Sequence, residues 1–375
     1  METFTYHLSR ALAHQGHEVD LVASVNSTYV DAPRVRLLPL PEFRFSLQDS
    51  YLPMAAGLLL GGWTAERRAT QALTRGTYDI VNFQIPAAMA RVLRIARRQG
   101  VPSVMTAHNP VPWRLHREGG LDEKLRSLTY RAVDARMAHR ADGVITVGPD
   151  LRAALVDGLG LDPARTFYAP VGVETATAQV SDSFVEETRH RLRLPERYVL
   201  FVGRFVAQKG LPALLESLAG TRVPLVLVGE GPLRPAIERR AAELGLAQQV
   251  QFLGRLLPEP LRAVFRGATA FVLSSVAEGM PVVVLEAAAA RLPVVATRVE
   301  GVAEMIQDGV TGRIVPIGDR AALRAAIVSI FEDPPAAARM GLAGYRRVVE
   351  RFSWDVVARE TVAAYTEIIE RTGHR

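Results

Sequence analysis

Residues 270–290 read AFVLSSVAEGMPVVVLEAAAA, and this stretch decides the fold of the second half of the chain. Its opening residues form a short apolar run of the kind that makes a buried β-strand. Proline is favoured at the first position of a helix, where its missing N–H would have no partner anyway, so we expect a helix to begin at Pro281. A strand, a loop and a helix in this order predict one unit of a parallel α/β sheet.

Two glutamates, Glu278 and Glu286, bracket the apolar part of this stretch. A helix that follows a strand presents unpaired backbone N–H groups and the positive end of its dipole, which is a natural site for a phosphate. Glu278 lies just before that site, and Glu286 lies about a turn and a half beyond it. An elongated ligand with phosphates in its middle could contact one carboxylate at each end. The alternative is a pair of solvent-exposed glutamates.

The same order of strand and helix occurs six times between residues 198 and 333. Apolar runs such as VPLVLVG alternate with helical patterns such as PLRPAIERRAAEL. Six such units predict a doubly wound α/β domain, in which ligands bind at the carboxyl ends of the strands. The segments VGRFVAQKG, VGEGP, FLGR and SSVAEGMP all follow predicted strands, so we expect them to form one site.

The first half of the chain has a similar but less regular pattern. Strands are predicted in six segments: EVDLVAS, VRLLPL, DIVNFQ, PSVMTAH, GVITVG and TFYAPVG. The chain opens on a helical pattern, ETFTYHLSRALAHQG, that no strand precedes. A doubly wound domain begins with a strand that is central in its sheet, so we expect the first strand to stand upstream of Met1.

We predict two domains and a linker. The N-terminal domain covers residues 1–175 and is joined by the C-terminal helix at 354–375. The polar segment 176–197 is the predicted linker, and residues 198–353 form the C-terminal domain. A chain of 375 residues is long enough to bury two such cores.

Charge and composition exclude several classes of protein. The net charge is +6 and no basic tail or arm stands out, so no nucleic-acid partner is predicted. The chain has no cysteine and no apolar run of membrane-spanning length, which predicts a cytoplasmic protein without disulfides. Arg91, Arg94 and Arg98 form either a solvated helix face or a surface for anionic lipid, so peripheral membrane contact stays open.

Lysine is almost absent from the chain. Of the 45 basic residues only Lys124 and Lys209 are lysine, and the others are arginine. Arginine replaces lysine at most surface positions, but a compact ammonium on a flexible stem has its own uses. This bias singles out Lys209, which follows a predicted strand.

The ordered motifs resemble those of glycosyltransferase family 4. VGRFVAQKG, LVGEGPLR, VQFLGR and EGMPVVVLEAAAARLPVVATRVEGVAEMIQDGVTGRIVP follow one another as in that family, and Glu278 and Glu286 have its Glu-x7-Glu spacing. The resemblance covers residues 198–375 closely and the first half more loosely. It implies the GT-B fold, in which two doubly wound Rossmann-like domains face each other across a cleft. It also implies transfer of a sugar from a nucleotide sugar.

The resemblance assigns a role to each motif. Arg204 and Lys209 would pair with the donor diphosphate, and fixed cations of this kind stabilise the charge that grows on a leaving group. Glu278 would hold hydroxyls of the donor sugar, and Glu286 would hold those of the ribose. His108, in TAHN, matches the histidine that the family places near the reacting carbon.

The remaining donor contacts are implied in the same way. Backbone N–H groups before the helix would cradle the phosphate and the sugar, FLGR would frame the base, and two glycine-loop residues would lie near the nucleotide. These residues are Gly279, Met280, Val282, Arg255, Leu256, Gly203 and Glu230.

The chemistry implied by the resemblance is transfer with retention of anomeric configuration, with UDP favoured over GDP. The sequence contains no Asp-x-Asp pair, so no metal and no cofactor are predicted. The acceptor stays open among lipid-linked sugars, polysaccharide precursors and soluble metabolites. Three other interpretations stay open: a catalytically impaired nucleotide-sugar binder, an epimerase on the same fold, and an oxidoreductase, suggested by Gly229 and Gly231 after a strand.

Overall fold

The computed structural model describes residues 2–24, 32–40, 51–84, 89–108, 135–175 and 180–373, without the side chains of residues 2, 3, 24 and 51–62. The chain divides into two compact units. The first consists of Met1–Gly172 and Trp354–Arg375, and the second consists of Val173–Ser353. One unit is therefore made of two pieces of chain, and the other is continuous.

Strands and helices alternate along most of the described chain. The strands are β1 (Val19–Ser24), β2 (Val35–Leu40), β3 (Val81–Phe83), β4 (Ser103–Ala107), β5 (Gly143–Thr146), β6 (Thr166–Tyr168), β7 (Val199–Val202), β8 (Leu225–Val228), β9 (Val250–Gly254), β10 (Ala270–Leu273), β11 (Val294–Thr297) and β12 (Gly312–Val315). The helices are α1 (Glu2–His14), α2 (Tyr51–Arg75), α3 (Ala90–Arg98), α4 (Pro149–Leu159), α5 (Asp182–Leu192), α6 (Leu211–Leu218), α7 (Arg234–Glu243), α8 (Pro258–Gly267), α9 (Val282–Ala289), α10 (Val302–Met305), α11 (Arg320–Glu332), α12 (Pro334–Arg351) and α13 (Trp354–Gly373).

The described strands of the first unit are all parallel. β1 pairs with β2, and a separate sheet has the strand order β3-β4-β5-β6. The six strands predicted in this half are therefore confirmed. α13 packs on α1, and Gly143 in β5 lies so close to α13 that a Cβ there would come within 2.3 Å of Ile368. The C-terminal helix is thus part of the core of this unit.

The second unit is built on one six-stranded parallel sheet with the order β12-β11-β10-β7-β8-β9. The chain starts at the centre in β7, adds β8 and β9 on one side, and then returns to the other side of β7 with β10. The strand order reverses between β7 and β10, which is where sheets of this type bind ligands. The predicted fold class, α/β with doubly wound parallel sheets, is confirmed.

Helices cover both faces of this second sheet. Leu200 and Phe271 belong to one buried cluster, together with Val284 of α9. Val199 belongs to the cluster on the other face, together with Leu214 of α6. Strands that are buried on both faces need apolar residues at every position, which explains why their Val/Leu runs are continuous rather than alternating.

Two details differ from the sequence-based expectation. Pro281 is the N-cap residue of α9 rather than its first residue, because its ψ of 84° is not helical, and the helix begins at Val282. The segment 176–197, predicted as a linker, contains α5. This helix is capped by the Ser181 hydroxyl, which accepts a hydrogen bond from the Phe184 N–H, and it packs on α8. The polar composition of this segment did not indicate a helix, because most of the surface of α5 is solvated.

Candidate active site

The loops that follow β7 and β10 are joined by three hydrogen bonds at the point where the strand order reverses. The backbone N–H of Val276 donates to Gln208 O at 2.9 Å, and Gln208 Nε2 donates to Ala277 O at 2.7 Å. Ser274 Oγ donates to Lys209 O at 2.8 Å. These contacts fix VGRFVAQKG and SSVAEGMP against each other, although about 70 residues separate them in sequence.

Within this junction Lys209 and Glu278 form an ion pair. Lys209 Nζ lies 2.5 Å from Glu278 Oε1, and the two side chains are only 17% and 10% exposed. Ser275 Oγ donates to the same oxygen at 2.5 Å. Ser275 is fully buried, and its own carbonyl accepts a hydrogen bond from Thr297 Oγ1 at 2.5 Å. The carboxylate of Glu278 is therefore held from two sides.

Two glycines allow the loops to approach so closely. Gly210 follows Lys209 with a φ of 63°, and a Cβ at this position would lie 2.1 Å from Ser274 O. Gly229 has a φ of 133°, and a Cβ there would lie 1.9 Å from Gly203 O. Any side chain would strain the backbone and push the loops apart. The glycines in these motifs are thus required by the local packing.

Arg204 extends from the anchored part of the first loop. On either side of it, Gly203 N–H donates to Val228 O at 3.0 Å and Phe205 N–H donates to Glu230 O at 2.9 Å. The Arg204 side chain is exposed, and it forms no ion pair with any residue that the structure describes. Two backbone hydrogen bonds thus fix the loop on either side of a guanidinium that no described carboxylate neutralises.

Glu230 is already paired within its own loop. Its Oε1 lies 2.5 Å from Arg234 Nη1, and Arg234 also contacts Glu238 at 2.8 Å. The guanidinium of Arg234 lies 5.8 Å from the ring centroid of Phe252 in β9. The structure therefore gives Glu230 a local partner in addition to any ligand.

The segment after β9 carries the two residues expected near a base. Gly254 O accepts a hydrogen bond from Gly229 N–H at 2.8 Å, which fixes the end of β9 beside the VGEGP loop. Arg255 is exposed, whereas Leu256 is half-buried and packs against the core cluster that contains Val284 of α9. The Arg255 side chain is therefore accessible to a ligand, whereas the Leu256 side chain anchors the loop.

The amino end of α9 leaves backbone donors available. The N–H groups of Gly279, Met280 and Val282 donate to no acceptor within the described ranges of the chain. Gly301 packs against this loop, where a Cβ would come within 2.7 Å of both Gly279 O and Met280 Sδ. Free N–H groups at the start of a helix attract anions.

Glu286 lies further along α9 in a desolvated position. Burial raises the pKa of its carboxyl group, and the nearby guanidinium of Arg262 in α8 opposes that shift. Among the residues described, no side chain or backbone group donates a hydrogen bond to the Glu286 carboxylate. A carboxylate in this state is poised to accept hydrogen bonds from the hydroxyl groups of a ligand.

His108 lies in the first unit, immediately after β4. Its Nε2 is 2.6 Å from Gln84 Oε1, and this oxygen also accepts a hydrogen bond from Thr5 Oγ1 at 2.9 Å. An amide oxygen can only accept, so Nε2 carries the proton and Nδ1 is left as an acceptor. Burial lowers the pKa of His108 to about 4, so the ring is neutral at physiological pH.

Sequence reasoning missed three residues that support these groups. Ser275 holds Glu278, Gln84 orients His108, and Arg262 lies near Glu286. Ser275 and Gln84 each follow a strand of a parallel sheet, so a search for polar residues at strand ends would have found them. Arg262 is on another helix, and no pattern in the sequence indicates that contact.

Three further observations bear on earlier expectations. Arg91, Arg94 and Arg98 are exposed on α3, opposite its buried residues Val92 and Ala96. Within the described part of the chain, no helix is both long and apolar enough to cross a membrane. In the same residues no cluster of three or more His, Asp or Glu side chains could hold a metal, and metal independence stays a prediction.

Comparison with known proteins identifies the class. The family model described as Glycosyltransferase Family 4 matches residues 1–177, and the model Glycosyl transferases group 1 matches residues 184–347. The solved structure of sucrose-phosphate synthase from Thermosynechococcus elongatus is similar to this chain with a TM-score of 0.77 at 24% identity, over 97% of this chain and 92% of that one. The two Rossmann-like units are those of a GT-B glycosyltransferase.

Curated relatives give the same result. The chain is 34% identical to alpha-maltose-1-phosphate synthase of Mycolicibacterium smegmatis, over 72% of this chain and 74% of the relative. It is 28% identical to MMP alpha-(1->4)-mannosyltransferase of Mycolicibacterium hassiacum, over 98% of this chain and 94% of the relative. The chain belongs to glycosyltransferase family 4, and the predicted resemblance is confirmed.

Proposed function

We propose that this glycosyltransferase moves a hexose from a nucleoside diphosphate sugar to a hydroxyl group of a glycan, a lipid-linked sugar or a small molecule, with retention of configuration. One observation carries the donor assignment: Lys209 and Glu278 form an ion pair that is largely shielded from water, beside the free N–H groups at the start of α9. A cation, a carboxylate and backbone donors in one place suit a diphosphate joined to a sugar.

In this proposal the diphosphate lies between Lys209, Arg204 and the start of α9. The unpaired charge of Arg204 and the helix N–H groups attract the phosphates, and Lys209 turns from Glu278 towards the ligand. When the bond between the sugar and the phosphate breaks, negative charge grows on the leaving diphosphate. Fixed cations stabilise that charge more in the transition state than in the ground state, which speeds the reaction.

The two glutamates then contact opposite ends of the donor. Glu278, released from Lys209, accepts hydrogen bonds from hydroxyls of the sugar. Glu286, which has no hydrogen-bond donor among the described residues, accepts those of the ribose hydroxyls. Arg255 and Leu256 border the base, and Gly203 and Glu230 lie near the nucleotide. UDP is favoured over GDP, as the resemblance to the family implies.

We assign the acceptor proton to the donor itself. The acceptor oxygen forms the new bond to the anomeric carbon as the phosphate leaves, and its proton passes to a phosphate oxygen on the same face. No protein base is required in this scheme, and a His108 whose pKa is lowered to about 4 is a weak base. His108 serves instead as a neutral hydrogen-bonding group near the reacting carbon. Neither a metal nor a cofactor has a part in this scheme.

The test separates binding, transfer and other chemistry. Thermal stability and calorimetry with UDP and with GDP identify the nucleotide, because a ligand that binds only the folded state raises the melting temperature. Product formation is then measured with a panel of sugar nucleotides and acceptors. NMR determines the anomeric configuration of the product. Failure to bind either nucleotide would contradict the donor assignment. Nucleotide binding without turnover would indicate a catalytically impaired nucleotide-sugar binder. Formation of a new sugar nucleotide in the absence of an acceptor would indicate an epimerase.

A further inference from the structure

A short segment of the second unit supports the loop after β10, which carries much of the candidate donor site. This segment, residues 297–305, follows β11, and we call it the platform. At its start, Thr297 Oγ1 donates a hydrogen bond to Ser275 O at 2.5 Å. Further along, Gly301 has a φ of 76°, and a Cβ there would lie 2.7 Å from Gly279 O. The platform therefore contacts the loop after β10 at two points.

The platform ends in α10, a helix of only four residues, Val302–Met305. A helix of this length is unstable by itself, because its few internal hydrogen bonds do not compensate for the ordering of its backbone. Its side chains Val302 and Met305 are buried in the core cluster of the second unit. The last carbonyl groups of a helix have no donor within the helix, so those of α10 need donors from another part of the chain.

Arg347 of α12 supplies these donors. Its Nη2 donates to Glu304 O at 2.6 Å, and its Nε donates to Met305 O at 3.1 Å. A guanidinium holds its N–H groups in a fixed planar arrangement, so one side chain can bind two neighbouring carbonyl groups. Its positive charge is also favourable at the carboxyl end of a helix. Arg347 therefore caps α10 at the end opposite Gly301.

A second arginine of α12 contacts the same short helix in a different way. Arg351 Nη2 lies 3.2 Å from Glu304 Oε1, so this contact involves a side chain of α10 and no backbone group. The Arg351 side chain is 52% exposed, and exposed ion pairs contribute little to stability. Arg347 and Arg351 thus allow a backbone cap to be distinguished from a side-chain ion pair on one helix.

We propose that Arg347 is a positioning residue of the donor site, although it lies outside the loops that form this site. By capping α10 it fixes Gly301 against Gly279 and Met280, and so sets the direction of the N–H groups at the start of α9. Without the cap, α10 loosens and the loop after β10 is no longer held in one position. Donors that are aligned in advance bind a ligand better than donors that must be ordered on binding. This inference rests on the proposed function, in which these N–H groups contact the phosphate and the sugar.

Arg347→Ala and Arg347→Lys test the cap. Alanine removes both hydrogen bonds to α10, whereas lysine keeps the charge but cannot reproduce the planar fork of the guanidinium. Arg351→Ala is the matched control, because it removes only the ion pair with the Glu304 side chain. Melting temperature alone would not distinguish a positioning role, since the Arg347 guanidinium also lies 5.9 Å from the ring centroid of the buried Phe352.

Calorimetry with UDP and with GDP is the first readout. We expect Arg347→Ala to weaken binding of the nucleotide that the parent binds by at least about tenfold. Arg347→Lys should weaken it less, and Arg351→Ala should change it by less than about twofold. If Arg347→Ala does not fold, Arg347→Lys and Arg351→Ala give the same comparison. Parent-like affinity in the folded Arg347 variants, or equal weakening in Arg351→Ala, would overturn the proposal.

Backbone amide NMR of the unliganded protein is the second readout, and it does not depend on the donor assignment. We expect the Gly279 and Met280 signals to shift or broaden in the Arg347 variants. The signals of Gly229 and Gly254, at the carboxyl ends of β8 and β9, should stay at their parent positions. Equal shifts of all four signals would indicate general loosening and would overturn the proposal.

The two readouts separate this inference from the proposed function. If the parent binds neither UDP nor GDP, the proposed function fails, and the NMR result alone decides whether Arg347 positions the loop after β10. Unchanged Gly279 and Met280 signals would then overturn the role of Arg347, whereas a selective shift would uphold it.

Discussion

Lys209 Nζ and Glu278 Oε1 lie 2.5 Å apart at the junction of the loops after β7 and β10, and both side chains are largely shielded from water. The ammonium is therefore neutralised before any donor arrives. In the proposed donor site, a diphosphate must compete with Glu278 for this cation. The carboxylate that is expected to hold the sugar thus also weakens the resting attraction of the site for free nucleotide.

This competition leads to a first prediction, for Glu278→Gln. Glutamine can keep the hydrogen bond from Ser275 but cannot neutralise Lys209. We expect free UDP to bind roughly tenfold more tightly, about 1.4 kcal/mol, because the ammonium no longer has a competing partner. Turnover should fall by about 10² or more because the sugar contact is lost. Calorimetry and initial rates measure the two effects.

Glu243→Gln, at an exposed position of α7, is the control and should change neither UDP affinity nor turnover. Weaker UDP binding by Glu278→Gln would contradict the competition between Glu278 and the diphosphate.

In the proposed donor site, Arg204 and Lys209 supply the positive charge for the diphosphate. We expect Arg204→Ala and Lys209→Ala each to lower turnover by about two decades or more, with melting temperatures close to that of the parent for Arg204→Ala because its side chain is exposed. Arg222→Ala is a matched control, since Arg222 is also exposed but precedes β8 at the opposite edge of the sheet. Parent-like turnover in Arg204→Ala, or an equal loss in Arg222→Ala, would count against the diphosphate site.

Substitution of Glu286 should change protein stability and donor affinity in opposite directions. Burial raises the pKa of this carboxyl group, so its ionised form is disfavoured in the folded state. Glu286→Gln removes that cost, and we expect its melting temperature at pH 7 to exceed that of the parent while its donor affinity is lower. The stability advantage should shrink as the pH falls and the parent becomes protonated. Donor affinity of the parent should fall over the same pH range, whereas that of the variant should stay constant. Calorimetry at several pH values measures this, and pH-independent donor binding by the parent would exclude the carboxylate as a contact.

His108 should make the folded state sensitive to acid. Its pKa is lowered from 6.5 to about 4 by burial, so between these values the unfolded chain binds a proton that the folded chain does not. The free energy of unfolding contributed by this group is therefore lost as the pH falls from about 6.5 to about 4. We expect His108→Gln to lose less stability over this range in urea titrations. His17→Gln, at an exposed position after α1, is the control and should have the same pH profile as the parent. Identical pH profiles for the parent and His108→Gln would refute the lowered pKa of His108.

The strands and their order along the chain were predictable because their apolar runs are long enough to be read without tertiary information. The motifs at their ends were predictable as one site for a related reason: parallel strands bring their carboxyl ends to one edge. Glu278 and Lys209 were therefore placed in the same region from sequence. Their direct ion pair was not predictable, because it depends on hydrogen bonds such as that from Gln208 to Ala277.

Helices with polar surfaces were the least predictable part of the fold. α5 was taken for a linker because Thr188 is its single buried residue and most of its other residues are polar or charged. α12 was not predicted, although Asp333 caps it by accepting a hydrogen bond from the Ala336 N–H. Its buried positions include Gly341 and Gly344, which lie close to Arg291 and Ala288 and give no apolar periodicity to detect. In both cases packing against neighbours supplies the stability that the local pattern does not reveal.

The division of the chain has a consequence for its synthesis on the ribosome. The second unit is one continuous stretch, Val173–Ser353, whereas the first needs Trp354–Arg375 to complete its core. α13 contributes buried residues such as Val357 and Ile368, and these emerge from the ribosome only after the whole second unit. Domains generally fold as soon as their chain is available, N-terminal ones first. Here the unit that begins first can complete its core only after the second unit has been synthesised, and until then the face of α1 that packs on α13 stays uncovered.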